Sequence, residues 1–98
     1  MNPTTHSYKA DGDIVSTNAS QHWTRLESAI QNVSENELLE VDLRAANMVD
    51  SVGLNVIVKT IKTVDARKAR VRLLIGSKSL KRICTFTRLD QKAEIVGP

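Results

Sequence analysis

The sequence predicts an α/β domain in which a small, mostly parallel sheet of four strands, or five, carries its helices mainly on one face. Three observations lead there. Extended apolar runs alternate with segments of helical periodicity from one end of the chain to the other. Helices of that length between strands argue for crossover connections and parallel pairing. At Asp50-Ser51-Val52-Gly53-Leu54 a strand hands over to a helix through a short polar junction. The 98 residues suffice for one domain with one modest core.

The elements follow in order. Residues 1–7 are polar and expected to be loose, with the domain proper spanning 8–98. Tyr8 to Val15 holds a short extended stretch broken by the turn-like Asp11-Gly12-Asp13. Ser16-Thr17-Asn18 offers helix caps, and Trp23, Leu26, Ile30 and Val33 then mark one helical face. Leu38 to Leu43 reads as a strand, helped by Val41. Leu54, Ile57, Val58, Ile61 and Val64 recur at helical spacing, and Arg67-Lys68-Ala69 closes that helix. Val71 to Ile75, ended by Gly76, is the clearest strand. Ser77 caps a third helix with Leu80, Ile83, Cys84 and Thr87 on its inner face, and Ala93 to Val96 forms a last strand.

Composition narrows the function. The only aromatics are Tyr8, Trp23 and Phe86, so the core is aliphatic. The single cysteine, Cys84, has no disulfide partner within the chain and suits a core position and a reducing compartment. No apolar stretch is long enough to cross a bilayer and no signal peptide opens the chain, so a cytoplasmic protein without direct membrane insertion is expected. Net charge is +3, but residues 1–50 carry three Lys/Arg against eight Asp/Glu, and residues 51–98 carry eleven against three. The basic half has no interleaved aromatics and no helix-turn-helix pattern, so nucleic acid is not an expected partner. His6 and His22 read as surface residues without metal-ligand spacing to Cys84. No nucleophile elbow or phosphate-binding loop is present, and no enzyme, metal or cofactor is expected.

The junction at residues 50–54 has its own chemistry. Either Asp50 or Ser51 can serve as N-cap, its side-chain oxygen accepting from an amide further along. A serine there lies at the positive end of the helix dipole, a position that welcomes a phosphate. Gly53 in the first turn costs about 1 kcal/mol relative to alanine, a cost that fits close approach by another backbone. Val52 and Val56 lie off the main apolar stripe, with Asn55 and Lys59 beside them, and make a modest candidate docking surface.

The segment from Val41-Asp42-Leu43 through Asp50-Ser51-Val52-Gly53-Leu54 resembles the signature of the anti-sigma-factor antagonists, in the STAS domain family shared with sulfate-transporter C-terminal domains. Gly12-Asp13-Ile14 is similar to the family's turn before the first helix. Val71 to Ile75, then Ser77, Leu80, Ile83, Phe86 and Leu89-Asp90, resemble its last strand, helix and "G-L-D" turn. The likeness covers Tyr8 to Val96. Three positions depart from the pattern: Val15 replaces a common acid, Asn55 a common glycine, and Arg88 the glycine of the "G-L-D" turn.

The resemblance implies partner switching. The unphosphorylated protein would bind a serine-protein kinase that doubles as an anti-sigma factor, releasing the kinase's target. Phosphorylation of Ser51 would break that complex, and a PP2C-type phosphatase would restore it. Asp50 would be the acidic neighbour of the acceptor, Gly53 would permit close approach, Leu54 would anchor the helix, and the free protein would be monomeric. The alternative is a subunit that docks on the ATPase of a lipid transporter, with Ser51 an ordinary cap and the second helix still the docking face.

Overall fold

Leu39, Val41 and Leu43 alternate with Leu38, Glu40 and Asp42, while Val71, Leu73 and Ile75 alternate with Arg70, Arg72 and Leu74. This period of two sends each apolar set to one face. In the computed structural model, which describes residues 5–98, the two sets lie side by side in register: Leu39 on Val71, Val41 on Leu73, Leu43 on Ile75. All six are buried. They form the floor of the core in strands β2 (Leu38–Leu43) and β3 (Arg70–Ile75).

Around this pair the chain adds β1 (Thr5–Lys9), α1 (Ala19–Ile30), α2 (Ser51–Ala66), α3 (Lys78–Phe86), a 3-10 turn at Leu89–Gln91 and β4 (Glu94–Val96). The four strands lie in the order β1-β2-β3-β4 and every pairing is parallel. Right-handed crossovers between sequential strands place the three helices on the same face. Leu26, Ile30, Ile57, Ile61, Val64, Leu80 and Cys84 join the strand residues in one core. Burial pushes the Cys84 thiol up, which keeps it neutral and inert. No helix among the described residues is long and apolar enough to cross a membrane.

Three expectations are corrected. The expected loose segment 1–7 is partly strand: Thr5, His6 and Ser7 pair with Leu38, Leu39 and Glu40, and residues 1–4 lie outside the described residues. Polar side chains at alternate positions hide this edge strand from a search for apolar runs. Neither histidine is a free surface residue. His6 meets Glu37 at 2.9 Å, and His22, only 3% exposed, lies 2.6 Å from the Tyr8 hydroxyl. His22 therefore takes the core position in α1 that Trp23 was expected to fill, and Trp23 is half-buried beside it. Phe86, part of the pattern shared with the family, stands 87% exposed at the end of α3.

Parallel sheets are usually covered on both faces. Here the face away from the helices carries charge. Arg72 lies between Glu40 at 3.2 Å and Glu94 at 2.9 Å on the neighbouring strands. On the same face Asp42 takes two hydrogen bonds from the Arg44 guanidinium, at 3.0 and 2.8 Å. The Arg44 hydrogen bond holds the Asp42 carboxyl down at about 2. A carboxyl lowered in the folded state contributes stability above its unfolded value near 4 and loses it as pH falls through the folded value.

Two predictions follow from this frame. Asp42→Asn lowers stability at pH 7 by about 1 kcal/mol, a modest figure because Arg44 is solvent-exposed. In urea unfolding curves the gap between the two proteins narrows from about pH 4 downward and closes near pH 2. Arg88 occupies the left-handed region at φ 63°, at the position where the family pattern has glycine. Arg88→Gly relieves that conformation and raises stability by about 0.5–1 kcal/mol, read from the urea midpoint.

Candidate functional site

Asp50 has an extended backbone and caps α2 with its side chain: one carboxylate oxygen accepts from the Gly53 amide at 2.8 Å. The other accepts from the Ser16 amide, also at 2.8 Å, in the loop before α1. Of the two cap candidates it is Asp50 that caps, and Ser51 becomes the first helical residue. The Gly53 amide, and after it the Ser16 amide, hold the Asp50 carboxyl below its ordinary range. The cap stays ionised at neutral pH and weakens only as pH falls through that lowered value.

A second aspartate repeats the arrangement from the other side. Asp13 Oδ1 accepts from the amides of Asn47 and Met48 at 2.8 and 2.9 Å. The Ile14 amide donates to the Met48 carbonyl at 3.1 Å, and Ile14 and Val49 form an isolated parallel bridge. Asn18 does not cap α1 with its side chain. It folds back on the same loop, accepting from Val15 N and donating to the Asp13 carbonyl. The loop of residues 11–18 is thereby fastened to the junction between β2 and α2.

Gly53 explains how closely the two segments meet. A Cβ at this position would fall inside the van der Waals envelope of the Ile14 carbonyl oxygen. The close approach expected at Gly53 is made by this backbone, within the domain. Leu54 is half-buried against the core.

Ser51 is exposed, and no hydrogen bond among the described residues engages its hydroxyl. Close to it in the chain, Met48 is 61% exposed and Val52 43%. Alongside runs a groove of about 290 Å³ between α1 and α2, lined by Ala19, Ser20, Trp23, Val52, Asn55, Val56 and Lys59. Four of these, Val52, Asn55, Val56 and Lys59, are predicted docking residues. Val56 differs from expectation in being only 8% exposed, so it makes the floor rather than the rim. Lys59 lays its ammonium 4.3 Å above the centre of the Trp23 ring. That cation–π contact forms one wall.

The α1 side of the groove was not expected. His22 and Trp23 are adjacent, about 100° apart around the helix, and in α1 it is His22 that points into the core with Leu26 and Ile30. Trp23 lies at the boundary, half-buried next to Lys59 of α2. Asp13 was identified only as part of a turn. Among the described residues no cluster of three or more His, Cys, Asp or Glu could hold a metal ion.

Gly53→Ala tests the loop contact. Helix propensity alone favours alanine by about 1 kcal/mol. The collision with the Ile14 carbonyl reverses the sign, and the variant loses about 1–3 kcal/mol in urea unfolding.

Comparison with known proteins agrees with this fold. The chain superimposes on tm1081 of Thermotoga maritima, provisionally described as an anti-sigma factor antagonist. The TM-score is 0.81 at 19% identity, over 96% of this chain and 79% of that one. The anti-sigma factor antagonist SpoIIAA in its unphosphorylated form gives a TM-score of 0.72 at 15% identity, over 98% and 82% of the two chains. A sulfate transporter family protein from Wolinella succinogenes gives 0.69 at 14%, over 93% and 75%. At these identities the likeness establishes the fold. No curated protein matches the sequence. The STAS domain family model matches residues 2–96, nearly the whole length, and the chain belongs to the STAS domain family.

Proposed function

We propose that this domain is a partner-switching regulator controlled by a phosphate on Ser51. In its bare form it docks on a serine-protein kinase of the anti-sigma-factor type, through the groove between α1 and α2 and the apolar residues beside Ser51. The kinase then transfers phosphate to Ser51, the complex separates, and a PP2C-type phosphatase restores the bare form. The observation that carries this reading is the placement of Ser51: an exposed, unengaged hydroxyl at the first position of a helix capped by another residue. Because Asp50 holds the cap, Ser51 is free to be modified without loss of the helix start.

The energetics suit a switch. A phosphoserine carries about −1.5 to −2 charges near neutral pH. At the start of a 16-residue helix the dipole favours that charge, so the fold tolerates it. Inside an interface the same charge loses its water, and its repulsion by the adjacent Asp50, screened in the free domain, grows in the drier setting. A penalty of about 3–4 kcal/mol weakens a complex a few hundredfold. Val52, Val56 and Trp23 supply the apolar anchor, and Asn55, Ser20 and Lys59 a polar rim.

In a second reading the exposed face of α2 docks on the ATPase of a lipid transporter and Ser51 stays unmodified; that a sulfate transporter family protein shares this fold is consistent with a transporter setting. Co-purification from the native cell separates the two: a kinase with phosphate mapped to Ser51, or an ATPase with the chain at unmodified mass.

With the cognate kinase in hand, Ser51→Ala binds like the unmodified chain and Ser51→Asp binds at least about 100-fold more weakly, both remaining folded. Equal affinities for the two variants contradict the reading. Val52→Asp, at the groove rim, weakens kinase binding by a similar factor and leaves the unfolding free energy within about 0.5 kcal/mol.

A further inference from the structure

The outer stripe of α3 is made of Lys78, Arg82 and Phe86, four residues apart, opposite the buried Leu80 and Cys84. Arg88 and Lys92 continue the positive charge beyond the helix end. Between Gly76 and Ala93 the chain holds five cations, Lys78, Lys81, Arg82, Arg88 and Lys92, and one anion, Asp90. Lys81 donates to the Gly97 carbonyl at 3.3 Å, while Lys78, Arg82, Arg88 and Lys92 make no ion pair and no side-chain hydrogen bond among the described residues. Phe86 protrudes from this surface at 87% exposure, the most exposed large apolar side chain described.

We propose that α3 and the turn after it form a docking face for an anionic lipid bilayer, with the four unpaired cations held among the headgroups and Phe86 inserted at their level. Each ingredient has a physical role. Cations near an anionic leaflet attract it additively, and the attraction falls with ionic strength. An aromatic side chain adds apolar burial, and a bilayer receives a protruding ring without a preformed pocket. The surface suits a single-stranded nucleic acid less well, because such partners stack on successive aromatics and Phe86 is the only aromatic after Trp23.

The topology lets this face work independently of Ser51. Ser51 follows the finishing end of the parallel strands, whereas α3 runs back, over about 13 Å, to leave Phe86 near their starting end. Lys78, which opens α3, shares the Ser51 end of the sheet, but α3 connects β3 to β4 while the groove lies between α1 and α2, so a domain resting on the α3 face leaves the groove open to a protein. The proposal stands whether or not Ser51 is phosphorylated.

The test is co-sedimentation of the full chain with vesicles of phosphatidylcholine alone or with about 40 mol% phosphatidylglycerol. The chain binds the anionic vesicles and not the neutral ones, and binding falls steeply between about 0.1 and 0.5 M salt. Phe86→Ser, at an exposed position, retains the circular dichroism spectrum and binds about tenfold more weakly. Lys78→Glu combined with Arg82→Glu abolishes binding. Ser51→Asp binds as the unmodified chain does. Absence of binding to anionic vesicles, or equal binding by Phe86→Ser, overturns the proposal. So does a Phe86-dependent complex with polyglutamate or a DNA duplex when vesicles are ignored, which assigns the face to an acidic protein or a nucleic acid. Loss of a self-associated form in Phe86→Ser, again without vesicle binding, assigns it to a second copy of the chain.

Discussion

The Asp50 carboxylate holds together two segments that lie far apart in sequence. One oxygen closes the first turn of α2 through Gly53, and the other holds the Ser16 amide in the loop before α1. Asp13 returns the connection from that loop to Asn47 and Met48. Between these two carboxylates the Ile14 carbonyl presses against Gly53, where no side chain stands in the way. The position of α1 against α2, and with it the groove, depends on this junction. Its strength lies in charged acceptors facing backbone donors, the stronger class of hydrogen bond. It keeps Ser51 in a fixed place without using the Ser51 hydroxyl.

In the proposed switch that division of labour would separate structure from signal. If the serine were the cap, a phosphate would replace an oxygen that the helix needs. Because the neighbouring aspartate does the capping, the serine oxygen can be esterified or bare with the same fold beneath it. The dipole of α2 offsets part of the added charge in the free domain. A partner packed over Met48, Val52 and the Trp23 wall would feel the full charge in a drier setting. Under the proposed switch, a phosphate at this exposed position would have a small effect on folding and a large effect on docking.

Much of this was legible in the chain. β2 and β3 are visible because their alternating apolar residues meet a buried face, and α2 because Ile57, Ile61 and Val64 keep helical spacing into the core. The close approach at Gly53 could be anticipated from a glycine in a first turn. Other features could not be read locally. β1 alternates Thr5, Ser7 and Lys9 with His6 and Tyr8, a pattern without aliphatic residues, and its identity comes from pairing with β2. His22 outcompetes Trp23 for the core because the Tyr8 hydroxyl satisfies its ring nitrogen, a long-range contact. Phe86 fits a helical apolar repeat, yet Leu80 and Cys84 already fill the space under α3. Arg88 likewise keeps a turn whose left-handed backbone a glycine would adopt with less strain.

The central claim is that a phosphate on Ser51 leaves the domain intact and removes its partner. The most direct measurement compares the chain stoichiometrically phosphorylated at Ser51 with the unmodified chain, by urea unfolding and by titration with the co-purifying kinase. The unfolding free energies should agree within about 0.5 kcal/mol while the affinities differ at least about 100-fold. A phosphorylated chain that unfolds several kcal/mol earlier, or that binds the kinase as tightly as the bare one, would contradict it.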